Sequence, residues 1–290
     1  MSAGHNTRLG IVLMVGTTFV FAVQDGLSLH LSSTYNVYMV VMVRYWFFAA
    51  FVITISAKQV GGIRNAARTH QPYLQGFRGV LLATEICVMV TGFTYLGLVE
   101  SLAIFSSYTL IVAAMSGPIL GEIVGWRRWM AIFAGLCGVL IILKPGMGVF
   151  SVYAIIPLIA ASMFALYSLL TRYVARQDST ATSFFWTGVT GCIVMTFVGM
   201  FHLEDMIPAD WLLMLCLCFT GATGHWLLIR CYEVAEASAV QPFTYLQLVF
   251  GAAIGVMVFG EVIETNVAVG AVLVVAAGLF TLWRTRVSVT

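Results

Sequence analysis

Charge is what this chain has least of. Only 9% of its 290 residues are Asp, Glu, Lys or Arg, while 61% are hydrophobic even without glycine. A soluble domain carries roughly 25% charged residues, so this chain cannot cover a water-facing surface, and a mean hydropathy of +0.99 agrees. Lysine is nearly missing. Lys58 and Lys144 are the only two, and neither follows the glycine pattern of a phosphate-cradling Walker A loop, which excludes ATP-driven work by this chain alone. The H-E-x-x-H, G-x-S-x-G and S-x-x-K motifs of hydrolases are absent, so the chain is read as a non-enzyme. A net charge of +2 offers little to a nucleic acid. Cys87, Cys137, Cys192, Cys216, Cys218 and Cys231 lie in or beside apolar runs without zinc spacing. They read as small core hydrophobes, and neither metal nor cofactor is expected.

What is present is apolar sequence in long runs. A bilayer span takes about 20 residues, and ten such runs can be marked, at approximately 10–31, 37–57, 76–97, 101–121, 128–144, 151–173, 182–201, 209–230, 239–260 and 266–284. Breaks fall at Ser32-Ser33-Thr34-Tyr35-Asn36, the basic 58–72 segment, Lys144-Pro145-Gly146 and Glu204 to Asp210. Too little chain remains for an extramembrane domain. The first run is longer than the core of a cleaved leader and is read as a retained span. The fold class is all-α integral membrane, with ten transmembrane helices.

The cations orient the bundle. With the N-terminus in the cytoplasm, Arg8, Lys58, Arg64, Arg68, Arg78, Arg127, Arg128, Arg172, Arg176, Arg230, Arg284 and Arg286 fall inside. Lys144 alone falls outside, and Arg44 lies within a span. Twelve against one is the bias expected of correctly counted loops, so both termini are placed in the cytoplasm.

The chain also halves near Pro145. Phe21-Ala22-Val23 is matched by Phe164-Ala165-Leu166 at an offset of 143. Tyr95, Ser101 and Tyr108 return as Tyr232, Ser238 and Tyr245 at 137, and Gly121-Glu122 as Gly260-Glu261 at 139. Residues 1–144 and 145–290 are therefore read as two five-helix repeats. An odd number of spans per repeat forces opposite orientations, which puts Glu122 in the cytoplasm and Glu261 outside. Many secondary transporters use such inverted repeats to place one site at the midplane and expose it to either side.

Several residues carry a wider likeness: Phe21-Ala22 with Asp25-Gly26 in the first helix, Arg44 in the second, Tyr95 through Ser101, and Gly121-Glu122 followed by Trp129. In the second half they are Gln241-Pro242-Phe243 with Tyr245 and Gln247, then Gly260-Glu261. In these the chain resembles, over nearly its whole length, the EamA repeat of the drug/metabolite transporter superfamily. The motifs are loose, specific for superfamily and poor for substrate. The resemblance implies a ten-helix basket in which helices 1–4 and 6–9 surround a central cavity and helices 5 and 10 pack outside. The characterised type it suggests is the YddG-like amino-acid exporters.

A polar side chain facing lipid is costly, so those inside spans should face a cavity or a partner. In helix 1, Phe21, Gln24, Asp25 and Ser28 share a face, which the repeat carries onto Phe164, Tyr167, Ser168 and Thr171. Such stripes suit a shared central site or a hydrogen-bonded seam between helices. Asp25 and Arg44 lie at similar depth, so an ion pair is expected, either locking helices 1 and 2 or meeting substrate. Glu85 has no basic residue at its depth in helix 3; it either meets a cation or proton, or holds a proton and bonds a neighbouring helix. His225 shares a face with Gly221, Leu228 and Tyr232, and either takes part in binding or proton transfer or is simply hydrogen-bonded. In helix 9, Gln241 and Tyr245 lie four apart, with Gln247 rotated to another side. Tyr108 and Tyr245, mates in the repeat, are either an aromatic pair lining the cavity or plain core and interface tyrosines. The expected substrate-binding set is Phe21, Gln24, Asp25, Glu85, Tyr108, Tyr167, Ser168, His225, Gln241 and Tyr245. Ala113, Gly117 and Gly121, Gly251 and Gly255, and Ala131 with Gly135 read as surfaces for close helix packing.

The expected function is secondary transport of small amphipathic metabolites by alternating access. The first choice is export of amino acids, aromatic and large neutral ones included, across a bacterial-type inner membrane, by a monomer or weak homodimer. Another solute class (nucleotide, vitamin or drug) is the alternative, although anionic solutes call for several cavity cations and only Arg44 qualifies by sequence. A membrane enzyme or scaffold without transport is the remaining reading, and the missing catalytic motifs disfavour it.

Overall fold

A computed structural model describes residues 7–58, 62–120, 125–143, 152–175, 177–235 and 240–287. The apolar runs become helices because lipid offers nothing to backbone N–H and C=O groups, and a helix satisfies them within itself. The helices are α1 (Thr7–Thr34), α2 (Val37–Lys58), α3 (Gly62–Ala67), α4 (Pro72–Leu96), α5 (Leu98–Phe105) and α6 (Tyr108–Leu120). They continue as α7 (Trp126–Leu143), α8 (Ile155–Val174), α9 (Thr180–Gly199), α10 (Pro208–Val234), α11 (Leu246–Phe259) and α12 (Thr265–Val287). Among the described residues there is no strand.

Seven stretches are long and apolar enough to cross a bilayer, and Trp129–Ile142, Phe243–Phe259 and Thr265–Phe280 are shorter apolar helices. Together they fill the ten positions marked from hydropathy. Local signals set the ends. Pro72 and Pro208 open α4 and α10, where their missing N–H has no intrahelical use, and the Ser179 side chain caps α9 by accepting the Thr182 N–H at 3.1 Å. Gly260 closes α11 in the left-handed region at φ +67. Two expected spans are not single helices. The fourth breaks at Ser106 and Ser107 between α5 and α6, and the ninth begins with a 3-10 turn over Gln241–Tyr245. The short α3 lies in the basic segment read as a loop.

Large apolar side chains cover the outside of the bundle, and several charged and polar ones are buried within its largely apolar interior. Phe19, Trp46, Phe133, Phe197, Met257 and Val272 are exposed, whereas Asp25, Arg44, Gln75, Arg78 and Glu85 are buried. Several hydroxyls in spans bond their own helix, as Thr17 does to the Leu13 carbonyl and Ser28 to that of Gln24. All six cysteines are unpaired thiols.

The main helix pairs are α1 with α10 and α4 with α8, α1 with α11 and α6 with α8, α2 with α9, α7 with α12, and α4 with α9. Exchanging the two halves of the chain converts each of the first two sets into itself, leaves α2–α9 and α7–α12 unchanged, and takes α4–α9 to the smaller α2–α10 contact. Small residues allow the closest approaches. A Cβ on Gly138 would meet the Gly270 carbonyl oxygen at 2.8 Å, and one on Gly270 would collide with that of Gly138, so α7 and α12 touch backbone to backbone. Gly251 lies against Leu102, and Gly255 against Val99 and Glu261. Glu261 accepts the N–H groups of Leu98 at 2.6 Å and Val99 at 2.8 Å, and so caps α5 from the far end of the sequence. Gly97, at φ +79, makes room for it: a Cβ there would stand 2.8 Å from Glu261 Oε1. The repeat mates Glu122 and Ser238 and the Lys144–Gly146 junction lie outside the described residues.

Candidate functional site

Between α1, α4, α8 and their neighbours lies a cavity of about 480 Å³. Its wall runs from Phe93 and Leu102 at one end to Arg172, Ala175 and Thr180, beside the α8–α9 connection, at the other. Eight of the ten residues expected in the site line it: Phe21, Gln24, Asp25, Glu85, Tyr108, Tyr167, Ser168 and His225. The side chain of the ninth, Gln241, lies outside the described residues.

Tyr245, the tenth, is elsewhere. It is buried with its hydroxyl bonded to Thr109 and pressed against Gly278, where a Cβ would strike it. Tyr108 instead packs on Phe105 at 5.3 Å and Phe164 at 5.0 Å, so the repeat-related tyrosines do not form the expected pair. The cause is the 3-10 turn over Gln241–Tyr245. It winds at three residues per turn instead of 3.6, which shifts the phase of every residue after it. Tyr245 is turned away from the cavity and Gln247, read as facing another side, is turned into it.

Gln247 has a definite task. Its Nε2 donates to Asp25 Oδ2 at 2.8 Å. The expected Asp25–Arg44 ion pair is not made: no N···O approach within 4 Å joins them, although both line the cavity. Gly221 leaves space for the arginine, since a Cβ there would come within 3.0 Å of Arg44 Nε and 3.3 Å of Gln24 Oε1. The Gln24 oxygen is buried without a hydrogen-bond partner.

Glu85 is 4% exposed and has neither a hydrogen bond nor an ion pair among the described residues. Arg44 and Asp25 act on it only at longer range. A buried, unmatched carboxylate aimed into a cavity is a costly arrangement that a folded protein ordinarily removes. Around it the wall is aromatic. His225 lies edge-on to Phe21 at 5.2 Å and stacks on Phe48 at 5.9 Å, so its ring sits between two apolar rings instead of in a polar network. Phe164 contacts Phe105 at 5.4 Å and Tyr167 at 6.0 Å.

Sequence reasoning also missed Arg78, counted only as a cytoplasmic charge. It is 1% exposed and lines the cavity. Its Nε and Nη2 donate to Thr171 Oγ1 at 3.1 and 2.8 Å, its Nη1 donates to Gln75 Oε1, and its Cζ stands 5.1 Å from the Tyr167 ring centre. Gln75 in turn donates to Asp178 Oδ2 at 2.9 Å and to Ser183 Oγ at 3.1 Å. Asp178 also takes the Thr69 hydroxyl and, at 3.0 Å, the His70 N–H. Partial burial pushes the Asp178 carboxyl up, but these donors outweigh it and hold the group below the ordinary carboxylate value. A helical reading from Glu85 back by seven places Arg78 on the same face, a signal that could have found it.

Two stretches of the chain, residues 8–144 and 151–283, match the EamA-like transporter family. Among curated proteins the chain is similar to a riboflavin transporter of Vibrio cholerae, 26% identical over 99% of this chain and 98% of that one. It is also similar to an S-adenosylmethionine uptake transporter of Rickettsia prowazekii, 23% identical over 97% and 95%. A solved crystal structure shares the fold at a TM-score of 0.66 and 14% identity, covering 98% of this chain and all of that one.

Proposed function

The chain belongs to the EamA-like transporter family, and we propose that it carries a flat-ringed, amphipathic metabolite through the cavity by alternating access. Glu85 carries this reading. It is a buried carboxylate with no bonded partner among the described residues, set in an aromatic wall where a solute's ammonium, sulfonium or hydrogen-bond donor would complete it. The cavity, about 480 Å³, falls within the roughly 300–1,000 Å³ of sites for drug-sized ligands. The two relatives are named for solutes with a heteroaromatic ring and a polar tail. A second reading is export of an aromatic amino acid, favoured by the presence of Arg44 and Glu85 in one cavity, which offers a counter-charge to each end of a zwitterion.

Residues 1–144 and 145–290 are proposed to be inverted repeats in a bacterial-type inner membrane, both termini cytoplasmic, with the Arg172–Thr180 end of the cavity facing inward. The doubled family match, the self-consistent helix pairs and the distribution of arginines support this.

Reconstituted vesicles test the function. Labelled riboflavin, S-adenosylmethionine and tryptophan are offered to wild type and to Glu85→Gln. Saturable uptake with counterflow of a ring-bearing metabolite is expected, falling about tenfold in the variant, the scale of a lost charged hydrogen bond. Uptake of tryptophan that neither larger solute inhibits would select the amino-acid reading. Equal transport by Glu85→Gln would remove Glu85 from it.

A further inference from the structure

Arg78 is a buried cation whose needs are met only in part. A guanidinium has five N–H donors. Thr171 Oγ1 takes two and Gln75 Oε1 one, and both acceptors are neutral. No carboxylate of the described residues lies within 4 Å of it. The nearest acid in its network, Asp178, is reached only through Gln75 and already accepts from Thr69, His70 and Gln75. A cation removed from water without a counter-ion is strongly unfavourable, yet this one is fixed in place by Thr171 and by the Tyr167 ring beneath it. The side chain is built to stay where it is and to face the cavity.

The lining carboxylates, Asp25 and Glu85, share their part of the cavity with Arg44, whereas the end formed by Arg78, Arg172, Thr171 and Thr180 has cations and no lining carboxylate among the described residues. Glu85 follows Arg78 by seven residues on the same face of α4, a rise of about 10 Å. A free amino acid, whose two charges are separated by one carbon, cannot reach both. An elongated solute can.

We propose that Arg78 forms a second subsite, which binds an anionic group (a carboxylate or a phosphate) at one end of the solute while the ring and any cationic group lie beside Glu85. This rests on the cavity being the transport route. It makes the cargo a dipolar molecule long enough to span two helical turns, and Arg78 a determinant of specificity.

Labelling of Ser168→Cys, a neighbouring wall position, tests it without knowledge of the cargo. The purified protein is treated with two methanethiosulfonates, one bearing a sulfonate and the other a trimethylammonium group, and reaction at residue 168 is followed by mass spectrometry. Relative to the same pair of rates for a free thiol, whose anionic thiolate itself favours the cationic reagent, the sulfonate is expected to gain about tenfold. Adding Arg78→Gln should abolish that gain, and Arg78→Lys, which keeps the charge, should retain it. A merely structural arginine would leave the ratio unchanged in Arg78→Gln, and that result overturns the proposal. If Arg78→Gln does not fold, a ratio in the protein with Arg78 intact equal to that of a free thiol overturns it equally. Protection by succinate identifies a carboxylate site and protection by inorganic phosphate a phosphate site. Protection by neither at high concentration also overturns it. If neither reagent reaches residue 168, the cavity is closed to solutes and the transport route itself is misplaced, a failure distinct from that of the subsite.

Discussion

Asp178 and Glu85 are carboxylates treated in opposite ways. Asp178, at the α8–α9 connection, collects donors from Thr69, His70 and Gln75 and ties two loops distant in sequence. Glu85, in the middle of α4, collects none. A satisfied carboxylate holds structure together. An unsatisfied one is a cost the fold bears, and in a cavity that cost is relieved when a ligand arrives. The contrast separates the fastening of the bundle from its binding surface more sharply than depth or polarity does.

Removing each group should therefore act in opposite senses. The largest change is expected for Asp178→Ala, which strands three donors. A loss on the order of 2 kcal/mol, reduced by nearby water, should appear as a lower melting temperature in detergent, with weaker effects on substrate affinity. The same contact predicts a pH window. Because the folded carboxyl is held below its ordinary value, its contribution is fully present above about pH 4 and disappears as pH falls through the depressed value. The difference in melting temperature between wild type and Asp178→Asn should shrink in that acid range. A constant difference would show that the charge is not what fastens the loops. Next in size is Glu85→Gln, which should leave the melting temperature unchanged or raise it while transport falls. A clear loss of stability would place Glu85 among the fasteners and erase the contrast. The smallest effect is expected for Tyr245→Phe, which removes one hydroxyl from Thr109. About 1 kcal/mol of stability and no change in half-saturation for the solute would confirm that this tyrosine stands outside the cavity wall.

Much of this was legible in the sequence because lipid imposes simple rules. Apolar length fixed the ten spans, and the cost of polar groups in lipid pointed Gln24, Asp25, Glu85, Ser168 and His225 inward before any fold was known. The reading failed where a helix stopped being regular. An ideal helix 9 sends Gln241 and Tyr245 to one face, whereas the 3-10 turn brings Gln247 to Asp25. Hydropathy carries no signal for such a change of phase. Arg78 was overlooked for another reason: at the end of a span an arginine satisfies the positive-inside rule whether it points to water or folds back beneath Tyr167. The Asp25–Arg44 pair was inferred from matching depth, but depth says nothing about azimuth, and Gln247 holds the carboxylate instead.

The grip of Glu261 on the first amides of α5 has a mechanical consequence. It fastens the connection after α11 to the beginning of the fourth span, at the end of the bundle remote from Arg172 and Thr180. Pulling those parts asunder would bare a helix start and orphan an acid together, so the clasp resists separation at that end as the Asp178 network does at the other.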